Sequence, residues 1–527
     1  MQSTLKRKFC FSQKKTFGYT LMLISFLIFI SISLPLVFYN FYLIGNKLND
    51  SDAKDFIKNN KDFPLLIVSF DGFRWNYLNR TSTPHFDHII SNGVFATNGL
   101  TNEFATSTLT NHWSMVTGLH PEDHGIIENE MFDPVINKSY IPLYKDKFAV
   151  NDPRFYNTGV EPIWVTNQLQ KKYGRSGSIM WWGAENEIKG IHPTYHMPFN
   201  LEVGSKVRID TMIGWLSGEN PVNLGLLYFS EPDHTAHAYG PDSENVTKMI
   251  QYADHLTGYL LEQLEKKSVL DEINIIITSD HGFASVSKSR LINLDKFVDP
   301  SLYHMVHYTP VAAIIPKEGQ EEFIYEQLKA NSERNHFHVY KKSDIPERLH
   351  YKKNIRVTPI IAVADISYSF ISNMSEENFK QRGTHGYDNI HEDMRPFFMA
   401  IGPSFKKNFK VDTFLLVDIY PLMCHLLNLQ PAPNNGSMNI VSLLLHNDNI
   451  SIFTYPRYIA FFLVLSGILV TVTGTVCCCK YKYSGNAVIK SGLKKSSLHQ
   501  TSRLSSNNES DSYLALLADE ADESHYQ

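Results

Sequence analysis

Six residues able to hold a hard or borderline cation stand where strands end: Asp71, Asp233, His237, Asp280, His281 and His385. Asp71 follows the apolar run LLIVSF, and Asp233 and His237 lie in EPDHTAHAYG after LGLLYF. Asp280 and His281 close NIIITSDHG, and His385 sits in the glycine-flanked loop RGTHGYDN. Mixed imidazole and carboxylate ligation suits zinc, and two clusters of three, each with room for substrate, would make a two-metal hydrolytic site. Asp233 and His237 are four residues apart, so one turn of helix or a compact loop turns both toward one ion. Asp280 and His281 are adjacent and can share an ion only where the strand has ended and the backbone turns. Singly, an Asp after a strand is usually a turn or cap residue, and a lone His a satisfied core or surface group. Six at the same end of their elements make that coincidence improbable.

Residues 104–129, FATSTLTNHWSMVTGLHPEDHGIIEN, offer the group that would attack. Thr108 heads a polar, helix-like run followed by Gly118, His124, Gly125 and Asn129, the look of a nucleophile at a strand-to-helix turn. A threonine hydroxyl is a poor nucleophile at neutral pH, and coordination to zinc would populate its alkoxide. The expected target is phosphorus. His124 is expected to orient its loop and His120 to be exposed, so neither counts as a ligand.

Such residues need a scaffold that brings distant strand ends together. Apolar runs at 65–70, 224–229 and 275–278 read as strands buried on both faces, and SIMWWG and PVAAIIP supply further short strands. Between them lie helical stretches such as 245–267, with Ile250, Leu256, Tyr259, Leu260 and Leu264 at helical spacing. The alternation predicts an α/β fold, a doubly wound, mainly parallel sheet with helices on both faces and the site at the carboxyl ends of the strands. VDTFLLVDIYPLMCHLLNL, from Val411, reads as a closing amphipathic helix. With 527 residues, 20% of them charged, and a net charge of −5, the chain can bury one large core or two modest ones. The small charge gives no reason to expect nucleic acid as a partner.

Two hydrophobic runs break the globular pattern. Residues 17–44, behind a basic segment 1–16, read as a signal sequence or an uncleaved signal anchor. Residues 457–476 are long enough to span a bilayer and are followed by Cys477, Cys478, Cys479, Lys480 and Lys482, which predicts a cytoplasmic tail over 477–527. Polar stalks at 45–63 and 447–456 would then flank a catalytic ectodomain over 64–446, placing the protein at the plasma membrane with that domain outside. Glycosylation sequons at Asn49, Asn79, Asn137, Asn245, Asn373, Asn435 and Asn449 all fall on the expected outer side. Cys424 is the only cysteine there, so no internal disulfide is expected.

FDGFR, TSTLTNH with VTGLHPEDHGIIEN, EPDHTAH, TSDHGF and THGYDN, in this order, resemble the ectonucleotide pyrophosphatase/phosphodiesterase family of the alkaline phosphatase superfamily. EPIWVTNQ, PVAAIIPKEG and IIAVAD look closest to a short form with a catalytic domain and a C-terminal membrane anchor. The resemblance implies an alkaline-phosphatase-like fold and two zinc ions per subunit. One zinc would be held by Asp71, Thr108, Asp280 and His281, the other by Asp233, His237 and His385. Asn129 would donate to a phosphate oxygen, and Leu109 and Phe199 would sandwich a base. The family often flanks its nucleophile with Lys and Phe; Ser107 and Leu109 stand here, which bears on substrate preference rather than on the chemistry. The implied activity is hydrolysis of extracellular nucleotides (ATP, ADP, NAD, dinucleotides) to nucleoside 5′-monophosphates through a phospho-threonine. A choline-phospholipid phosphodiesterase and a catalytically idle adhesion ectodomain are the alternatives.

Overall fold

The computed structural model describes residues 62–142, 152–371 and 378–446. Their main strands are β1 (Leu65–Phe70), β2 (Val94–Ala96), β3 (Ser176–Ile179), β4 (Tyr195–Met197), β5 (Leu224–Phe229) and β6 (Asn274–Thr278), then β7 (Tyr303–His307), β8 (Val311–Pro316), β9 (Phe337–Lys341), β10 (Ile360–Ala364), β11 (Phe398–Ile401) and β12 (Phe409–Val411). The main helices are α1 (Pro84–Asn92), α2 (Thr108–Thr117), α3 (Ile163–Gln170), α4 (Ser205–Ser217), α5 (Asp233–Tyr239), α6 (Glu244–Lys266), α7 (Glu321–Ser332) and α8 (Ile419–Leu426).

Eight strands form one sheet in the order β12-β2-β11-β6-β1-β5-β3-β4. Every neighbouring pair is parallel except those of β11, which runs against both β6 and β2. The doubly wound sheet expected from the sequence is present, with one reversed strand that an apolar run cannot disclose. Every residue of β1, β5 and β6 is buried, which is why these strands read as unbroken apolar runs. On β3, Ser176 accepts a hydrogen bond from Asn167 of α3 (3.1 Å), while a Cβ on the next residue, Gly177, would meet Trp215 of α4 at 2.8 Å. Neighbouring residues of a strand point to opposite faces, so α3 and α4 cover opposite sides. α6 is capped by Ser243, whose side chain accepts from the Val246 N–H, and buries Val246, Ile250, Ala253, Leu260 and Leu264 along one stripe.

Two expectations are corrected. PVAAIIP forms β8, but in a separate antiparallel sheet, β7-β8-β10-β9, inserted between β6 and β11. That sheet and α7 bury a core of their own around Ile314, Ile324, Leu328, Phe337 and Ile360. A short apolar run reads alike in either sheet. The closing helix starts at Ile419, not Val411; residues 409–411 are edge strand β12, and Phe414–Leu415 pairs with Leu100–Thr101. Pro421 falls in the first turn of α8, the one part of a helix that tolerates it.

Both expected membrane spans, 17–44 and 457–476, lie outside the described residues, as do 1–16, 447–456, 477–527, most of 45–63, and Asn49, Asn373 and Asn449. Among the described residues no helix is long and apolar enough to cross a membrane. Asn79, Asn137 and Asn435 are exposed or half-buried, and Asn245 is half-buried. Cys424 is buried and free, and burial pushes its thiol up to about 12.

Candidate active site

The three central strands finish level, with Ser69 opposite Thr278 and Phe70 opposite Phe229. The residues just past their ends therefore emerge side by side: Asp71 after β1, Asp280 and His281 just beyond β6, and Asp233 at the start of α5. Gly72, at φ +66°, allows the close approach, since a Cβ there would stand 2.9 Å from the Asp233 Cβ. Its N–H donates to Asp280 Oδ1 (3.1 Å), and the Asp71 carbonyl accepts from the Asp233 N–H (3.0 Å). His385 arrives from the loop behind the two-residue strand Gly383–Thr384, which pairs with Ala284–Ser285 beyond His281. The His281 and His385 rings stack at 3.6 Å.

All six expected ligands come together as two groups, Asp71, Asp280 and His281, and Asp233, His237 and His385, with ligating atoms inside each group within 4.8 Å of one another. His281 Nε2 lies 3.3 Å from Asp71 Oδ1 and 3.2 Å from Asp280 Oδ2, and His237 Nε2 lies 3.2 Å from Asp233 Oδ2. The groups adjoin, with His281 Nε2 at 4.0 Å and His385 Nε2 at 3.6 Å from Asp233 Oδ1. Each histidine spends Nδ1 on a backbone carbonyl: His281 on Gly282, His237 on Gly383 and His385 on Thr106, at 2.9–3.1 Å. That fixes the tautomer and turns an Nε2 lone pair into the cluster, as ligation requires.

The electrostatics ask for a cation. Burial, and then the carboxylates of Asp280 and Asp233, push Asp71 well above the usual carboxylate range. Burial also opposes charge on Asp280, but His281 and His112 outweigh it and hold that carboxyl well below its ordinary value. Burial resists protonation of His281, and Asp280 and Asp71 overcome it and raise the imidazole to about 9. Three buried carboxylates this close keep full charge only with positive charge between them. The donor set and its geometry thus fit a pair of zinc ions.

Thr108 opens α2, with Oγ1 3.2 Å from His281 Nε2. The positive end of the α2 dipole points at this position, where a phosphate's charge would be welcome. A loop over residues 102–107, rather than a direct strand-to-helix turn, separates α2 from Leu100–Thr101. α2 is buried along its whole length despite its polar sequence, because its side chains are paired. Asn111 accepts from the Glu103 N–H (2.7 Å) and donates to Ser107 O (3.0 Å). His112 bridges Ser69 Oγ (2.8 Å) and Thr108 O (2.9 Å), and Ser114 meets His124 Nε2 (2.8 Å). His124 also accepts from the Ile126 N–H (3.0 Å), so it does orient its loop. His120 differs from expectation: it is half-buried, on Glu103 (2.8 Å) and stacked on His350 at 3.9 Å.

Asn129 Oδ1 accepts from the Leu109 N–H (2.8 Å), so its NH2 is the part of the side chain able to donate to a substrate. Leu109 is fully buried in the main core, so its side chain is packing rather than an open wall for a base. Phe199 is half-buried and stacks on Trp182 at 4.7 Å, with Tyr228 at 6.4 Å. Tyr228, which carries no signal in the sequence, joins this aromatic group to the ligands. Its hydroxyl donates to Asp71 Oδ2 (2.5 Å), and burial followed by the Asp71 charge raises its pKa well above normal, so it stays a donor.

The family model for type I phosphodiesterase / nucleotide pyrophosphatase matches residues 65–388. The chain is 44% identical over 385 residues to human ectonucleotide pyrophosphatase/phosphodiesterase family member 5, covering 72% of this chain and 78% of that protein. It is 43% identical over 383 residues to human bis(5′-adenosyl)-triphosphatase ENPP4, covering 72% and 82%. Among solved structures, an inactive form of murine ectonucleotide pyrophosphatase / phosphodiesterase 5 in complex with AMP aligns with TM-score 0.69 at 43% identity, over 73% of this chain and 100% of that one. The human protein 5 structure aligns with TM-score 0.70 at 44% identity and the same coverage. The alkaline-phosphatase-like architecture expected from the sequence is supported by these neighbours.

Proposed function

Because the chain belongs to the type I phosphodiesterase / nucleotide pyrophosphatase family and is an enzyme of that class, we propose that it is a zinc-dependent cell-surface hydrolase. Its substrates are extracellular nucleotides (ATP, ADP, NAD and dinucleotides), cleaved to nucleoside 5′-monophosphates. The observation that carries this reading is Thr108 Oγ1 at 3.2 Å from His281 Nε2, beside six buried ligands whose imidazoles all turn Nε2 inward. The AMP held by the murine relative supports a nucleoside 5′-phosphoryl group as the part recognised.

Two zinc ions, one at Asp71, Thr108, Asp280 and His281 and one at Asp233, His237 and His385, would acidify the hydroxyl and offset charge on the phosphoryl oxygens. Thr108 Oγ forms a bond to phosphorus as the bond to the leaving phosphate or alkoxide breaks, giving a phospho-threonine. The Asn129 NH2 donates to a non-bridging oxygen whose charge grows in the transition state. Phe199, braced by Trp182, offers a face for the base. Water then displaces Thr108 from phosphorus, releasing the 5′-monophosphate with net retention. The basic flank and apolar runs at 17–44 and 457–476, with the sequons between them, support a membrane-anchored, glycosylated, outward-facing enzyme with a cytoplasmic tail.

The test compares the wild type with Thr108→Ala on a chromogenic 5′-nucleotide ester and on a choline phosphodiester, each with and without chelator. Nucleotide-ester turnover that needs zinc and falls by about a thousandfold or more in the variant is expected. Preference for the choline ester would refute the nucleotide assignment, and bound zinc without turnover would leave an idle ectodomain.

A further inference from the structure

Behind the metal ligands, on the α4 and α6 side of β5, lies a small pocket that the proposed reaction does not use. Its volume is about 40 Å³, and Ser205, Arg208, Ser230, Glu231 and Tyr252 line it between the apolar rings of Phe70 and Phe229. Arg208 is only 4% exposed, yet no carboxylate pairs with it among the described residues. Its Nε donates to Val203 O at 2.8 Å, and Nη1 reaches Tyr228 O only at 3.5 Å. The guanidinium carbon lies 6.0 Å from the Phe229 centroid, the outer limit of a cation–π contact. Two hydrogen bonds to backbone carbonyls, one of them long, and no carboxylate serve a cation with five donors, and burial lowers its pKa.

The rest of the wall is built to match. Ser205 is the first residue of α4, and the N-cap, Gly204, has no side chain with which to cap the first turn. The positive end of a thirteen-residue helix therefore lies beside a guanidinium that has no carboxylate partner, with Ser205, Ser230 and Tyr252 in the same wall. The one carboxylate in the wall, Glu231, is committed elsewhere: Oε2 accepts from the Thr235 N–H (3.1 Å), and Oε1 faces His234 Nδ1 at 3.7 Å.

We propose that this pocket is a binding site for a small tetrahedral oxyanion, phosphate or sulfate in charge and shape, held by Arg208, the α4 N-terminus and the hydroxyls of Ser205 and Ser230. A single water needs roughly 10–15 Å³ of such space, so the room suits a few waters or one compact anion and excludes a nucleotide. Ser230 and Glu231 form the link from β5 to Asp233, so an occupant braces the segment that sets the second ligand group. The inference stands apart from the substrate assignment.

The experiment measures the thermal midpoint of the full, zinc-loaded chain in titrations with sodium phosphate, sulfate and acetate against sodium chloride at matched ionic strength. A saturable rise with phosphate and sulfate, but not with acetate, is expected. Arg208→Gln should move the half-saturating concentration up by about tenfold or more, and Ser205→Ala by about threefold. If Arg208→Gln does not fold, Ser205→Ala decides. No saturable rise would overturn the site. An equal rise in both variants would also overturn it, placing the anion at the zinc pair or nowhere specific, and an equal rise with acetate would overturn the tetrahedral selectivity.

Discussion

At the scale of single residues, Tyr228 shows what a ligand set read from sequence leaves out. Its hydroxyl holds Asp71 Oδ2 at 2.5 Å while its ring packs edge-on against His112 and Trp182, at 5.3 and 5.7 Å. Hydrogen bonds from outside the ligand shell orient a ligating carboxylate, and their loss typically costs about 10–100-fold in metal affinity or activity. Tyr228→Phe keeps the ring and removes only the donor. Zinc affinity by competition with a chromophoric chelator, and kcat/KM, should both fall by about tenfold, with KM for a nucleotide ester little changed. Equal metal affinity in the two proteins would show that Asp71 needs no such partner. The six candidate ligands are legible because Asp and His at strand ends are chemically conspicuous. Tyr228 is not, because a tyrosine inside LGLLYF looks like ordinary strand filling until β1 places Asp71 beside it. Leu109 misleads in the opposite direction: a neighbour of the nucleophile along the chain, it turns into the core because α2 is buried on all sides.

At the scale of elements, the segments on either side of α2 are held by contacts from parts of the chain that periodicity says nothing about. Arg356, between β9 and β10, reaches out of the inserted sheet to Asp133 (Nε to Oδ2, 2.8 Å) and to the carbonyls of Gly125 (2.6 Å) and Phe155 (2.9 Å). Both side chains of the pair are at most 5% exposed. Burial works against charge on Asp133, but the Ile136 N–H and the guanidinium prevail and keep its carboxyl below normal. Arg356→Met would leave that carboxylate buried without a cation, on the Val135 and Ile136 N–H groups only, at a cost of about 3–5 kcal/mol. The midpoint of urea unfolding reports it, and Asp133→Leu placed in the same chain should restore part of the loss. The loop before α2 is tied by a hydrogen-bonded pair, Glu103 and His120. Burial opposes protonation of His120, and the Glu103 hydrogen bond and charge outweigh it, raising its pKa above 6.5. A raised folded-state value means that the stabilisation is complete below pH 6.5 and is lost as pH climbs through the raised value. Glu103→Gln should therefore lower the thermal midpoint more at about pH 6 than at about pH 9. A gap independent of pH would mean that the pair acts by hydrogen bonding alone. None of these ties is visible in the sequence, since each joins residues whose neighbours along the chain carry no shared pattern.

At the scale of the whole molecule, the sheet and the ligands depend on each other. The centre of an eight-stranded sheet ends in three carboxylates, Asp71, Asp233 and Asp280, that are 2%, 6% and 0% exposed. Such a group is costly to fold unless a cation arrives with it, so the fold should be more stable with metal than without. The six candidate ligands, Thr108, and the eight- and four-stranded sheets all fall within residues 62–446. A protein trimmed to those residues should then keep the chemistry, and it isolates the effect of metal from that of the hydrophobic runs. Exhaustive chelation of the trimmed chain should abolish phosphodiesterase activity and lower the thermal midpoint by about 5 °C or more, for metal held at a thousandfold over its Kd. Zinc should restore both together, whereas calcium, which wants oxygen ligands in greater number, should restore neither. The same midpoint with and without chelator would mean that the carboxylates are tolerated by sharing protons among themselves, and that the central strands are held by their apolar faces alone.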